Sequence, residues 1–469
     1  MTQAVNHVAL LPLYAAAGTA ILVLLADLTL GRFRTAAGVL GGLATAVCAA
    51  VTSSAGATFC TGAACSWVPS RPAATVAVLF AALTVGVLAL SVPALSARAL
   101  PPGEYAFLLA CAMTGGVTVG YAGDLITLIV GLETLTLPLY VLVGLRRPAA
   151  ALTFFVISVV ATAVALMGAA LVYAASGALH LAGLRAAVLA ADGGPMHPVA
   201  TVGTWLLVIG FAFKVAGVPL HAWAAPTYDG APMPVAAYLS TASKLGGVIG
   251  LTVIVARLDT GPLLAVLAVA TMTVGNLVAL RQTRMVRLLA WSSVAQAGYV
   301  LAPLAAGADG VRAALAYAVL FVTLEFVAFG AIIALRPPDA DGGTLNDYRG
   351  AARRSPWRGA AFVLAVAGLA GLPPGLAGLF AKVTIVGSLI GDGWGWLAAV
   401  VALNAVVALA YYVRAAAVLY AGPTGIAVAD LRPPVFAVRW PVATAVIVAA
   451  AVAVALGFAP QLLFDALTA

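Results

Sequence analysis

The sequence predicts an all-α polytopic membrane protein of about 14 transmembrane helices. Three observations carry that class. Of 469 residues, 64% are hydrophobic and only 8% charged, against roughly 25% charged in soluble proteins. Mean hydropathy is +1.12. Apolar runs of spanning length, about 20 residues, recur from end to end, and a backbone in lipid must satisfy its own polar groups, so these runs are helices.

In chain order the spans are 10–30, 36–56, 74–96, 105–121, 124–143, 151–175, 201–222, 232–256, 261–280, 288–305, 311–335, 359–388, 394–420 and 438–458. The longest connections, 57–73, 176–200, 336–358 and 421–437, are too short for a soluble domain. The first span is expected to stay uncleaved, because its flank lacks a basic n-region. With the N-terminus placed outside, the inner connections hold Arg32, Arg34, Arg98, Arg146, Arg147, Arg281, Arg284, Arg287, Arg336, Arg349, Arg353, Arg354, Arg358, Arg432 and Arg439. The outer connections hold only Arg71, Arg185, Arg257 and Arg312. That asymmetry predicts both termini outside. The net charge of +8 therefore reports topology and gives no reason to expect nucleic acid.

Cys48 and Cys111 fall in apolar spans, where they pack. Cys60 and Cys65 lie in the outer loop TFCTGAACSW, whose spacing permits a small disulfide loop without demanding one. No CxxC pair, His/Cys ligand cluster or glycine-rich phosphate loop is present, so no metal or cofactor site is indicated.

The informative residues are charges in the wrong solvent. Lysine occurs three times, as Lys214, Lys244 and Lys382, and each lies within an apolar segment. Arginine stays charged in a protein; a desolvated lysine can release its proton and so act as a relay. A charge at mid-bilayer costs about 2.5–3.5 kcal/mol on insertion scales, so each lysine needs a partner or water. Snorkelling to a headgroup is the structural alternative, and it fits Lys244 poorly, about a dozen residues from either end of its span.

Glutamate also occurs three times. Glu104 sits in the turn ALPPGEY and is expected to be solvated. Glu133, in the fifth span, calls for an ionised partner such as a lysine on a neighbouring helix. Glu325, in the eleventh, has no equally clear partner; a carboxyl kept neutral by burial and a relay group both remain open.

Two spans are interrupted by proline. KVAGVPLHAW has Lys214 five residues before Pro219, and LAGLPPGLAGLFAKV has Pro373 and Pro374 shortly before Lys382. Paired breaks in two halves of a membrane protein point to a transport site, and the opposite order of lysine and break suits an inverted repeat. Single proline kinks are commonly structural. Ser240, Thr241 and Ser243 flank Lys244, Thr134 and Thr136 flank Glu133, and Ser292, Ser293 and Gln296 lie in LLAWSSVAQAGYV. Such groups hold bridging water or simply glue helices. His221, past the first break, suits a proton gate or a satisfied helix-end histidine equally.

Several segments together resemble a known family. They are GLETLTLPLYVLVGLRR (131–147), FKVAGVPLHAW with YDGAPMPVAAYLSTASK (213–244), RQTRMVRLLAWSSVAQAGY (281–299), LAGLPPGLAGLFAK (369–382) and LNAVVALAYYVR (403–414). In order and spacing these are similar to the antiporter-like membrane subunits of respiratory complex I, the NADH-quinone oxidoreductase, most closely the subunit N branch. The L branch carries a long lateral helix for which there is no room, and the M branch is expected to have glutamate where this chain has Lys382.

The resemblance implies fourteen helices with two inverted five-helix repeats, helices 4–8 and 9–13, and broken helices 7 and 12. It divides the chain into 1–104, 105–256, 257–420 and 421–469. It implies proton translocation along Glu133, Lys214, Lys244 and Lys382; His221, Glu325, Gln296, Ser240, Ser243 and Tyr299 are the accessory candidates of the residue reading itself. It also implies NAD, FMN, iron–sulfur clusters and quinone in partner subunits and none here, neighbouring membrane-arm subunits as partners, and a bacterial cell membrane.

The chain departs from the family where HxWxPDVYxGAP reads HAWAAPTYDGAP, where a histidine is replaced by Gln296, and where an uncharged residue, often asparagine, is replaced by Glu325. A cation/proton antiporter subunit of the Mrp type, or a membrane-bound hydrogenase subunit, is the alternative reading; a carrier of organic solutes and a membrane scaffold are more distant ones.

Overall fold

Lipid offers the backbone no hydrogen bonds, so the chain is helical wherever it crosses. The computed structural model describes residues 5–190, 194–338, 340–422 and 438–468; Arg432 lies outside them. α1 (Leu11–Leu30) and α2 (Arg34–Val51) form the first hairpin. A small antiparallel ribbon follows, β1 (Thr58–Thr61) with β2 (Ala64–Trp67), and a disulfide joins Cys60 to Cys65. The pairing left open by spacing alone is therefore made.

α3 (Arg71–Ser96) opens with the Ser70 hydroxyl accepting from the Ala73 N–H, which satisfies one of the helix's orphan donors. α4 (Pro102–Tyr121) carries Glu104 exposed in its first turn, where the helix dipole favours an anion. α5 (Leu125–Gly144) is capped by Asp124. α6 (Pro148–Ser176) ends at Gly177 in the left-handed region, and α7 (Leu181–Ala190) is a short helix in the following connection.

The seventh crossing comes in two pieces, α8 (His197–Lys214) and α9 (Ala224–Gly230). The eighth runs from α10 (Met233–Tyr238) through a π turn at Leu239–Ser243 into α11 (Lys244–Val255). α12 (Gly261–Ala279), α13 (Met285–Leu304) and α14 (Val311–Leu335) follow. A connection containing α15 (Ala351–Arg354) leads to the twelfth crossing, again in two pieces, α16 (Pro356–Ala370) and α17 (Leu376–Gly391). α18 (Gly395–Tyr420) and α19 (Trp440–Phe458) complete fourteen crossings, and α20 (Gln461–Thr468) trails the last.

Burial does not follow hydropathy across the helices. Some 94% of the spanning window of Met233–Val255 and 89% of that of Val311–Leu335 lie inside the protein, against 22% for α19. The polar-bearing α10–α11 and α14 thus form the centre, and peripheral helices shield them from lipid.

The breaks differ from the sequence expectation in position. The first span was expected to run to 222 with its kink at Pro219; the helix instead ends at Lys214, and Ala216 takes a positive φ of 61°. In the second, α16 stops at Ala370, and Gly371 (φ 84°) turns the chain toward Pro373 and Pro374. Glycine suits that position, since a side chain is rarely stable at such a φ. Both Val218–Pro219 and Pro373–Pro374 are cis.

Candidate functional site

The first break makes Lys214 the last residue of α8, at the pole where unpaired carbonyls favour a cation. Its side chain is 4% exposed. Lys214 Nζ donates to Glu133 Oε1 on α5 at 2.7 Å, to Thr136 Oγ1 at 3.1 Å and to Ser158 Oγ on α6 at 3.4 Å. Thr162 Oγ1 on α6 also donates to Glu133 Oε1, at 2.7 Å. Two spans and a helix terminus therefore converge on one ammonium. Thr134 does not take part: its hydroxyl bonds back to the Val130 carbonyl, on an exposed face.

Lys244 opens α11 directly after the π turn and is 1% exposed. Its ammonium donates to the backbone carbonyl of Ser293 on α13 at 2.5 Å and lies 6.0 Å from the Phe321 ring centre on α14. Gly247, one turn further along α11, sets the distance to the first lysine. A Cβ there would fall 2.7 Å from the Cβ of Lys214, so only glycine lets the end of α8 approach α11 this closely. The flanking hydroxyls turn inward on their own helix: Ser240 and Thr241 both donate to the Ala237 carbonyl. Ser243 is buried beside them.

Lys382 lies within α17, yet its ammonium reaches back across the second break. It donates to the carbonyls of Leu369 and Ala370, the last two residues of α16, at 2.8 Å each. It also stands 5.1 Å from the Tyr299 ring centre. Lys382 thus reaches the carbonyl pole of the preceding half-helix, whereas Lys214 ends its half-helix and sends its ammonium to side chains of α5 and α6.

A hydrogen-bonded series connects the regions of Lys244 and Lys382. Ser292 bonds Tyr412, and Gln296 Nε2 donates to Tyr412 Oη at 2.8 Å and to the Leu369 carbonyl at 3.1 Å, the carbonyl that Lys382 also uses. Tyr317 donates to Gln296 Oε1. Asn276 donates to Asn404 Oδ1 at 3.0 Å and to Tyr299 Oη at 3.4 Å, and Tyr411 donates to Asn276. The sequence reading named Gln296 and Tyr299 but missed Ser158, Thr162, Gly247, Tyr317 and Tyr412. The double tyrosine in LNAVVALAYYVR was the only visible signal for the last of these.

Glu325 is fully buried on α14 and interacts electrostatically with Lys244. Lys244, already named, is thus the charged group nearest in effect, with no direct hydrogen bond or ion pair between the two among the described residues. His221 stands apart. It lies in the first break, its ring facing the Pro219 carbonyl at 3.2 Å and set edge-on to Trp291, and among the described residues no hydrogen bond joins it to a lysine.

At the arginine-rich end an ionic clamp ties α9 to α13. Arg284 Nε donates to both carboxylate oxygens of Asp229, and Arg284 Nη2 to Asp341 Oδ2 at 2.7 Å. Arg146 and Arg336 also approach Asp341, at 3.9 and 3.6 Å. The Arg284 guanidinium holds the Asp341 carboxyl below its usual range.

Residues 122–408 match the family described as NADH:quinone oxidoreductase/Mrp antiporter, transmembrane. The chain is 57% identical to NADH-quinone oxidoreductase subunit N of Salinispora tropica over 99% of both chains. It is 40% identical to a subunit N of Streptomyces griseus over 98% of this chain and 93% of that one. Among solved structures it resembles a chain of respiratory complex I from Thermus thermophilus, with a TM-score of 0.80, 28% identity and coverage of 97% and 98%. It also resembles a chain of the Mrp complex of a Dietzia species, with a TM-score of 0.77, 23% identity and coverage of 96% of each; at that identity the likeness is one of fold. The chain belongs to the NADH:quinone oxidoreductase/Mrp antiporter transmembrane family, as a multi-pass subunit of a multi-subunit membrane complex.

Proposed function

We infer that this chain is the subunit N-type, proton-translocating membrane subunit of a NADH-quinone oxidoreductase, and that Glu133, Lys214, Lys244 and Lys382 carry its protons. The carrying observation is the contact between the buried Lys214 Nζ and the part-exposed Glu133 Oε1 at 2.7 Å, one close helix packing away from Lys244. While Glu133 is close, it offsets the positive charge of Lys214. When the pair separates, that charge acts on Lys244 across the Gly247 contact. Two like charges about 8 Å apart, at an effective dielectric constant of about 20, repel by ~2 kcal/mol. That changes the occupancy of a proton on Lys244 roughly thirty-fold, enough to drive it toward Lys382.

The redox chemistry belongs to partners. NAD, FMN, iron–sulfur clusters and quinone sit in other subunits on this reading, and neighbouring antiporter-like and small membrane-arm subunits flank this chain. The arginine asymmetry supports both termini on the outer side of a bacterial cell membrane. The two breaks, each with a buried lysine beside it, support inverted repeats spanning 105–256 and 257–420. Cation/proton exchange of the Mrp kind rests on likeness of fold alone.

The test is Lys214→Ala and Glu133→Ala in the intact complex. Each should lower proton pumping and coupled NADH oxidation several-fold while the complex still assembles. Normal pumping in both variants sinks the ion-pair mechanism.

A further inference from the structure

We propose that Glu325 is a proton-carrying residue that loads Lys244 from the arginine-rich side, with Tyr228 and Ser293 holding the water between them. The inference rests on the translocation reading above and adds a carboxyl to it.

Geometry comes first. Phe321, Glu325 and Phe329 are four residues apart on α14 and so share one helix face. The Lys244 ammonium lies 6.0 Å from the Phe321 ring centre. The Tyr228 ring meets the Phe329 ring edge-on at 6.4 Å. Glu325 therefore stands between Lys244, one turn away on one side, and Tyr228, one turn away on the other. The next residue, Asp229, is held by Arg284 in the ionic clamp at the arginine-rich end. The order from that boundary inward is Asp229, Tyr228, Glu325, Lys244.

The hydrogen-bond accounting points the same way. Both carboxylate oxygens of Glu325 are buried without a hydrogen-bond partner among the described residues; Tyr228 Oη and Ser293 Oγ interact with each other without reaching hydrogen-bond geometry. A glutamate kept as interhelical glue bonds a neighbouring helix directly; this one bonds none. Unpaired buried oxygens are costly, and bridging water is what several such groups around one space accommodate. The titratable side chains facing Glu325 are Lys244 from α11, Tyr228 from α9 and Tyr412 from α18. Of these, lysine is the one that accepts a carboxyl proton readily at neutral pH. Glu325 and Lys244 are too far apart for a direct ion pair within 4.0 Å, so a proton passes between them through water.

The step balances as a proton relay. The Glu325 carboxylate takes an excess proton carried as hydronium through water from the arginine-rich side; one hydronium O–H bond breaks as the carboxyl O–H forms, leaving neutral water. The carboxyl O–H then breaks as the Lys244 amine gains its third N–H, and the carboxylate is restored. No oxidant or second substrate is involved.

The experiment uses the whole complex with Glu325→Gln, Glu325→Asp and Lys244→Ala. The glutamine variant should assemble and pump roughly ten-fold more slowly or worse, and aspartate should restore a substantial part. Infrared difference spectra of the native complex during turnover should show a carboxyl C=O band that the glutamine variant lacks. Native pumping and an unchanged band in Glu325→Gln, with Lys244→Ala inactive, overturn this inference and leave the translocation reading standing. Native pumping in Lys244→Ala as well overturns that reading. If the glutamine variant fails to assemble, the aspartate variant decides: its carboxyl band must be displaced from the native one, and an unmoved band overturns the proposal.

Discussion

The two broken helices each place a lysine beside the break and give its ammonium different partners. At the second break the ammonium of Lys382 sits against the terminal carbonyls of α16, which interact with it as fixed dipoles; at the first, Lys214 ends α8 but its ammonium turns to side chains of α5 and α6. One of these is a carboxylate, Glu133, with hydroxyls of α5 and α6 around it. At the second there are only carbonyls, the ring face of Tyr299 and, behind a shared carbonyl, the amide of Gln296. A carboxylate on another helix can be withdrawn; a helix terminus cannot. On the proposed translocation, the first lysine stays charged while its surroundings change, and the second gives up its own proton.

Replacement by arginine breaks this comparison most directly, because guanidinium keeps its proton. Lys382→Arg should reduce pumping on the order of ten-fold or more. Lys214→Arg, which can still pair with Glu133, should retain roughly half of native pumping or more. Equal losses in a vesicle pumping assay would erase the distinction.

A smaller effect is expected from Gly247→Ala. The added methyl would fall 2.7 Å from the Cβ of Lys214, and such overpacking costs about 1–3 kcal/mol. Pumping should fall a few-fold through displacement of α8 from α11. Gly371→Ala should cost stability through its positive φ while leaving the Lys214–Glu133 pair intact. Thermal melts read beside pumping rates separate the two.

The smallest effect concerns the clamp that fastens α9, the far half of the first break. Asp341 is depressed from 3.8 chiefly by its bond to Arg284. A depressed carboxyl stabilises the folded state above its unfolded value, and that contribution is lost as pH falls through the lower, folded value. Stability should therefore be flat from neutrality to about pH 4 and decline only below it. In Asp341→Asn the acid limb should flatten, by little, since the pair is part-exposed. An acid limb identical to native would remove Asp341 from the clamp.

The lysines were legible in the sequence because a charge in an apolar run violates a strong rule, and the rule needs no neighbours to be applied. The fourteen crossings were legible for the same reason. What surrounds each lysine was not. Ser158 and Thr162 look like any hydroxyls on an apolar helix until α6 is laid against α5. Glu325 seemed partnerless because Lys244 lies 81 positions away, on a helix brought close only by the fold. The first break was placed at Pro219, the loudest residue, whereas the helix gives way at Lys214 and the backbone turns over at Ala216. Gly247 carried no signal at all: glycine reports on what it touches, and Lys214 is 33 positions earlier.

Gln296 has a further consequence, for where a proton can pause. A carboxamide neither takes up nor releases a proton at neutral pH. Standing between Tyr412 and the Leu369 carbonyl, Gln296 braces α13 against α18 and the end of α16 without storing charge. On the proposed reading, a proton moving from Lys244 to Lys382 crosses this stretch in water and does not rest on this side chain.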